Sequence, residues 1–142
     1  MTAEKAFPKG LIVLAIILIV FALGTVAFWV EVFTSGTLAT SDNPCYMEHE
    51  RSFPAADGYM VLCALTAAVG IFRRRSWALL FGLLTGSAII FLGLMDTLYS
   101  LQQGIFATLS MAAAESLFIC GVCLILGPVT IAYIWRNRQH LL

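Results

Sequence analysis

Four acidic residues interrupt the long apolar stretches of this sequence, one in each stretch. They are Glu31, Asp57, Asp96 and Glu115. An ionisable side chain within a membrane-spanning helix is costly, so it marks a functional site by default. Carboxylates on several helices of one bundle can hold a cation, an amine-bearing ligand or a transferable proton. These four residues are therefore the first candidates for ligand binding.

The helical rise predicts that the four carboxylates lie at a similar height. Asp96 lies 21 positions after Arg75, and Glu115 lies the same number before Arg136. Either separation corresponds to about 31 Å along a helix axis, which is about one hydrocarbon thickness. The other two carboxylates fall within about one or two turns of that level. The sequence thus predicts an acidic ring at the outer mouth of a helical bundle.

The four positions differ in how well a structural role explains them. Asp57 follows Pro54 and is predicted in the first turn of its helix, where a negative charge complements the helix dipole. Glu115 stands about five residues into its helix, where this explanation is weaker. Glu31 and Asp96 stand near helix C-termini, where a carboxylate opposes the dipole. Because Asp96 also has apolar neighbours on both sides, it is the strongest single candidate.

A polar connection between the first two apolar stretches contributes His49 to the candidate ligand-binding residues. Two alternatives stay open for the acidic ring: Arg51 or His49 folds onto a carboxylate, or a bound cation or amine occupies the ring. The Glu-x-x-His spacing of bundle metal sites is absent, because Glu48, His49 and Glu50 are contiguous. A metal is therefore left unassigned, and no cofactor is predicted.

The cysteines offer a different chemistry. Cys120 and Cys123 form a C-x-x-C motif in the fourth apolar stretch, and Cys45 lies in the outer connection. This arrangement resembles the vitamin K epoxide reductase and DsbB groups of membrane thiol oxidoreductases, which are four-helix bundles. The resemblance implies a catalytic role for Cys120 and Cys123, with Cys45 as a shuttle, although a shuttle pair needs two loop cysteines. The alternative is that the cysteines pack as small apolar residues.

The elements that must position these residues are four apolar runs. They cover residues 11–33, 54–72, 77–101 and 110–135. Each approaches or exceeds the ~20 residues that cross a hydrocarbon core, which predicts four transmembrane helices in a single domain, 1–142, with an outer loop at 34–53. The first run is longer than the ~7–15 residues of a signal-peptide core, so we expect it to be a retained helix.

The basic residues predict the orientation of these helices. Seven of the eight Lys and Arg residues fall on one side of the four-span arrangement, and only Arg51 falls on the other. The side rich in Lys and Arg is the cytoplasm. The fold class is thus predicted as all-α: an up-down-up-down bundle in the cell membrane with both termini cytoplasmic. Gly82 and Gly86, with Gly93 further along, are expected to provide close helix contacts.

The amino-acid composition limits the functional classes to which this protein can belong. Hydrophobic residues make up 61% of the chain and charged residues 11%, against about 25% charged in soluble domains. The formal net charge is zero and no basic tract occurs, which argues against nucleic acid as a partner. The expected partners are the lipid bilayer and either other membrane subunits or further copies of the chain.

Three functional hypotheses follow. The first is a non-catalytic subunit or binding module of a membrane complex, with an acidic pocket at its outer mouth. The second is a thiol oxidoreductase that uses Cys120 and Cys123. The third is a cation- or proton-coupled transporter that uses Asp96 with Glu31. The first is favoured, because the sequence contains no recognisable catalytic constellation outside the C-x-x-C motif.

Overall fold

The computed structural model describes residues 6–35, 48, 51–107 and 110–142. Four long α-helices dominate these ranges: α1 Lys9–Thr34, α2 Phe53–Phe72, α3 Trp77–Gln102 and α4 Met111–Arg136. Each is long and apolar enough to cross a membrane, which is compatible with a small multi-pass integral membrane protein. The four predicted helices are therefore present, and their predicted bounds agree with the observed ones to within two residues. Most of the predicted outer loop, including Cys45 and His49, lies outside the described residues.

The helix ends follow from local chemistry. Ser110 precedes α4, and its Oγ accepts a hydrogen bond from the backbone N–H of Ala113 at 3.1 Å. This bond satisfies one of the free N–H groups at the helix start. Gly104 follows α3 with a φ of 67°, a left-handed conformation that glycine adopts without strain. Gly104 therefore lies just beyond the end of α3, in a conformation that does not continue the helix.

Small residues form much of the buried interior. Fully buried alanines on α1 and α2, such as Ala15, Ala22, Ala64 and Ala67, let these helices approach closely. Large apolar side chains point outward instead: Leu62 is 67% exposed and Ile125 is 68% exposed. Such outward-facing side chains are suited to a lipid environment.

Glycines on α3 make the close contacts that the sequence predicts. Gly82 packs against Ile134 of α4, and Gly93 packs against Cys123. At Gly86 the approach involves backbone, since a Cβ built there would lie 2.9 Å from the carbonyl oxygen of Gly127. The absence of side chains at these positions therefore sets the α3–α4 separation.

The helices pack sequentially, and α1 meets α4 only sparsely. Extensive contacts join α1 to α2, α2 to α3, and α3 to α4. The start of α1 touches α4 where Gly10 lies against the side chain of Tyr133. Nearby, the Arg74 guanidinium between α2 and α3 lies 4.9 Å from the centroid of the Phe7 ring. Farther along α1, a cavity and a groove separate it from α4.

Candidate functional site

A cavity of about 480 Å³ lies among all four helices. Three carboxylates from three different helices line it: Asp57 on α2, Asp96 on α3 and Glu115 on α4. Aromatic rings supply much of the remaining wall, namely Phe21, Phe28, Trp29, Phe53, Tyr99 and Phe118. Such a mixture of apolar walls and a few convergent polar groups is typical of small-molecule sites. The structure thus brings three of the four predicted acidic residues to one cavity.

Trp29 positions the carboxylate of Asp57. The indole Nε1–H of Trp29 donates a hydrogen bond to Asp57 Oδ2 at 2.7 Å, joining α1 to α2. The prediction that Asp57 lies in the first turn of its helix is wrong, because α2 begins at Phe53 and its first turn contains no acidic residue. The dipole explanation is weakened accordingly, since that effect falls off within the first turn. The described partner of Asp57 is a side chain of another helix.

Asp96 and Glu115 approach the cavity from α3 and α4. Both side chains are half-buried. The neighbouring Thr97 hydroxyl donates to the Gly93 carbonyl at 2.6 Å, which satisfies that hydroxyl within its own helix. Ser116 joins Glu115 in the lining from the second turn of α4. Their role in ligand binding stays a prediction.

Glu31 does not line the cavity. Its carboxylate accepts a hydrogen bond from the Ser35 hydroxyl one turn later on the same helix. Trp29, two positions earlier, lines the cavity instead. Residues two positions apart on an α-helix do not face the same direction, so an inward Trp29 turns Glu31 elsewhere. His49 lies outside the described residues, and Arg51 is exposed and is not a lining residue.

Cys120 and Cys123 line the same cavity as the carboxylates. The two residues are three positions apart and therefore share a helix face. Each side chain is 5% exposed, and both thiols are free. Cys123 also packs against Gly93, so one face of this cysteine has a packing role. A redox function for the pair stays a prediction.

A groove between α1 and α4 adjoins the cavity. Its lining is entirely apolar and consists of Ile16, Ile17, Val20, Phe21, Leu117, Phe118, Gly121, Val122, Ile125, Leu126 and Val129. Phe21, Phe118 and Val122 belong to the walls of both spaces. The cavity that contains the carboxylates therefore borders an apolar depression on the side of the molecule.

Sequence reasoning missed the aromatic part of this site. Trp29 is 28 positions from Asp57, and no spacing rule connects residues that far apart on different helices. The only available signal was the presence of Trp29 near the outer boundary, where aromatic residues are common for other reasons. No feature of the sequence indicated the groove, because apolar residues that face lipid cannot be distinguished in a sequence from apolar residues that line a groove.

The cavity contains an excess of acidic over basic lining residues. No Lys, Arg or His occurs among the residues that the structure places around it. Within the described part of the chain, no group of three His, Cys, Asp or Glu side chains is arranged so that it could hold a metal ion, although three carboxylates line the cavity.

Comparison with protein-family models, characterised proteins and solved structures finds no match to this chain.

Proposed function

We propose that this chain is a non-catalytic binding module of a membrane complex and that its cavity takes a ligand with an organic ammonium group. The observation that carries the proposal is the convergence of Asp57, Asp96 and Glu115 on one cavity. A carboxylate attracts a cation more strongly in a poorly solvated cavity than in water. The aromatic faces of Trp29 and Tyr99 add a cation–π attraction for an ammonium group.

The proposal includes an orientation in the cell membrane. The helices run up-down-up-down, both termini are cytoplasmic, and the cavity lies toward the outer face. In support, the start of the described chain, the α2–α3 turn and the end of α4 lie together. Phe7 contacts Arg74, and Gly10 contacts Tyr133. The excess of Lys and Arg at that end favours a cytoplasmic position.

The proposed partners are the lipid bilayer and either other membrane subunits or further copies of the chain. Exposed apolar side chains occur on every long helix, for example Val20, Leu62, Phe91 and Ile125. These surfaces suit lipid and also suit the flat contacts between membrane subunits.

Binding of butyltrimethylammonium tests the proposed function. The purified protein in lipid nanodiscs should bind this cation saturably, as measured by calorimetry. Asp96→Asn keeps the shape of the side chain but removes its charge, so the affinity should fall at least about tenfold, equivalent to ~1.4 kcal/mol.

Glu48→Gln is the matched control, because Glu48 is an exposed carboxylate that does not line the cavity. Its affinity for butyltrimethylammonium should equal that of the wild type. Equal affinities for the wild type and Asp96→Asn, or the lack of saturable binding to the wild type, would contradict the proposal.

A further inference from the structure

The cavity reaches the side of the molecule. Phe118 lines it and is 72% exposed, so the cavity wall is also part of the outer surface. This surface lies between α1 and α4, the pair of helices that meet only sparsely. The side of the cavity between α1 and α4 is thus the one that is not closed by an extensive helix interface.

The groove that borders the cavity is apolar along its whole length. On α4 its lining extends from Leu117 to Val129, which corresponds to about 18 Å along the helix axis. Ile125 and Val129 are largely exposed although they form its wall. Cavity and groove are thus neighbouring spaces with three shared wall residues, Phe21, Phe118 and Val122, and the carboxylates lie on the cavity side only.

Two glycines border these spaces. Gly24 lines the cavity and Gly121 lines the groove, and a Cβ built at either would meet nothing within 4 Å. The glycines at the α3–α4 interface behave differently, since a Cβ at Gly86 would meet Ile131 at 2.6 Å. Close helix packing therefore explains Gly86 but not Gly24 or Gly121. At the latter two positions the glycine faces open space beside the cavity or the groove, so a large side chain placed there would occupy that space.

We infer that the ligand is a single-chain cationic amphiphile, which reaches the site from the lipid. Its ammonium head lies among the carboxylates of the cavity, and its alkyl chain lies in the groove between α1 and α4. This inference rests on the proposed function and specifies the ligand class. The charge of the cavity selects the head group, and the groove has the elongated form and apolar lining that one chain requires.

Complementarity also distinguishes this occupant from a second copy of the chain. A transmembrane helix seated in the groove would match its apolar walls but would not supply a cation to Asp57, Asp96 and Glu115. An amphiphile matches both spaces. Because a chain gains little hydrophobic free energy by moving from lipid into an apolar groove, the groove acts by orienting the molecule and not by extracting it.

Photo-crosslinking tests the inference. The probe is dodecyltrimethylammonium with a diazirine at the end of its chain, added to the full-length protein in nanodiscs of zwitterionic lipid. Crosslinks mapped by mass spectrometry should concentrate on groove residues such as Ile17, Ile125 and Val129. A dodecyl sulfate probe with the same diazirine should show no such concentration, because its head group is repelled by the carboxylates.

A pair of glycine variants provides the matched comparison. Gly121→Leu should fill the groove and reduce crosslinking there at least about fivefold. Gly58→Leu should leave it unchanged, because Gly58 also faces open space but lines neither the cavity nor the groove. Retained binding of butyltrimethylammonium by Gly121→Leu would show that this variant is folded and that its cavity is intact.

Other outcomes overturn the inference in distinguishable ways. Crosslinks spread evenly over the lipid-facing helices, or crosslinks insensitive to Gly121→Leu, would refute the claim that the groove holds the alkyl chain. The proposed function would still stand if binding of butyltrimethylammonium depended on Asp96. If butyltrimethylammonium also failed to bind, the proposed function and the further inference would both be refuted. If Gly121→Leu converted a dimer into a monomer, as measured by light scattering, the groove would hold a second copy of the chain and the inference would fall.

Discussion

Trp29 and Asp57 illustrate how a single contact organises the site at the scale of residues. The hydrogen bond of 2.7 Å joins α1 to α2 and fixes one oxygen of the carboxylate at the cavity wall. Burying a carboxylate is costly unless it is hydrogen-bonded, so the indole N–H offsets part of this cost. The orientation of Trp29 also determines that Glu31 points away from the cavity.

Replacing Trp29 by Phe should destabilise the protein. Trp29→Phe keeps an aromatic ring but removes the N–H donor to Asp57, so the free energy of unfolding should fall by about 1–2 kcal/mol. Unfolding in mixed micelles with increasing dodecyl sulfate, followed by circular dichroism, measures this change.

Trp135→Phe is the control for this prediction. Trp135 is 52% exposed, and its ring lies under the Arg138 guanidinium, a contact that Phe can also make. Its replacement should change the free energy of unfolding by no more than about 0.5 kcal/mol. Equal decreases in the free energy of unfolding for Trp29→Phe and Trp135→Phe would argue that the Trp29–Asp57 hydrogen bond makes no specific contribution to stability.

At the scale of elements, the α3–α4 pair is closely packed whereas the α1–α4 pair makes few contacts. The α3–α4 pair is held close by Gly82, Gly86 and Gly93, whose missing side chains admit atoms of the facing helix. The α1–α4 pair has glycines too, but Gly24 and Gly121 face open space. Glycine thus permits close contact in the α3–α4 interface, whereas Gly24 and Gly121 have no atom of the facing helix near enough to contact.

Alanine substitutions separate these two situations. A methyl group at Gly86 would collide with Ile131 and with the backbone oxygen of Gly127, and a backbone cannot move aside as easily as a side chain. Gly86→Ala should therefore lower the free energy of unfolding by about 1–3 kcal/mol. The same dodecyl sulfate unfolding experiment measures it.

Gly58→Ala provides the counterpart within α2. Because a Cβ there meets nothing within 4 Å, the substitution should be neutral or raise the free energy of unfolding by up to about 1 kcal/mol, since alanine favours helix over glycine. A destabilisation by Gly58→Ala as large as that by Gly86→Ala would show that the effect at Gly86 is not steric.

At the scale of the whole molecule, the proposed orientation decides which compartment the cavity faces. Cysteine labelling in a background without the four native cysteines tests it. An impermeant maleimide applied to intact cells should label Gln103→Cys, at the end of α3, because this position lies on the proposed outer side. It should label Ser76→Cys, before α3, only after the membrane is permeabilised.

Both positions are exposed, so access to the reagent depends on the side of the membrane and not on burial. Labelling of Ser76→Cys in intact cells would place the cavity on the cytoplasmic side. The proposal of an outer acidic mouth would then be withdrawn, whereas the architecture of the cavity itself would be unaffected.

The extent of each helix was predictable because bilayer thickness fixes the length of an apolar run. The runs 54–72 and 77–101 match α2 and α3 to within one residue at either end. The rise per residue likewise predicted similar heights for the acidic residues, and three of them line one cavity. The contacts of Gly82, Gly86 and Gly93 were predictable because only small residues allow two helix backbones to approach closely.

By itself, then, the sequence determined the number of helices, their lengths and the level of each carboxylate along its helix. Only the tertiary structure decided the rotation of each helix and the choice of its neighbours. It turned Trp29 inward and Glu31 away, and it separated α1 from α4 to leave the cavity and the groove. The physical reason is that height depends on counting residues along one axis, whereas rotation and separation depend on how side chains of different helices pack together.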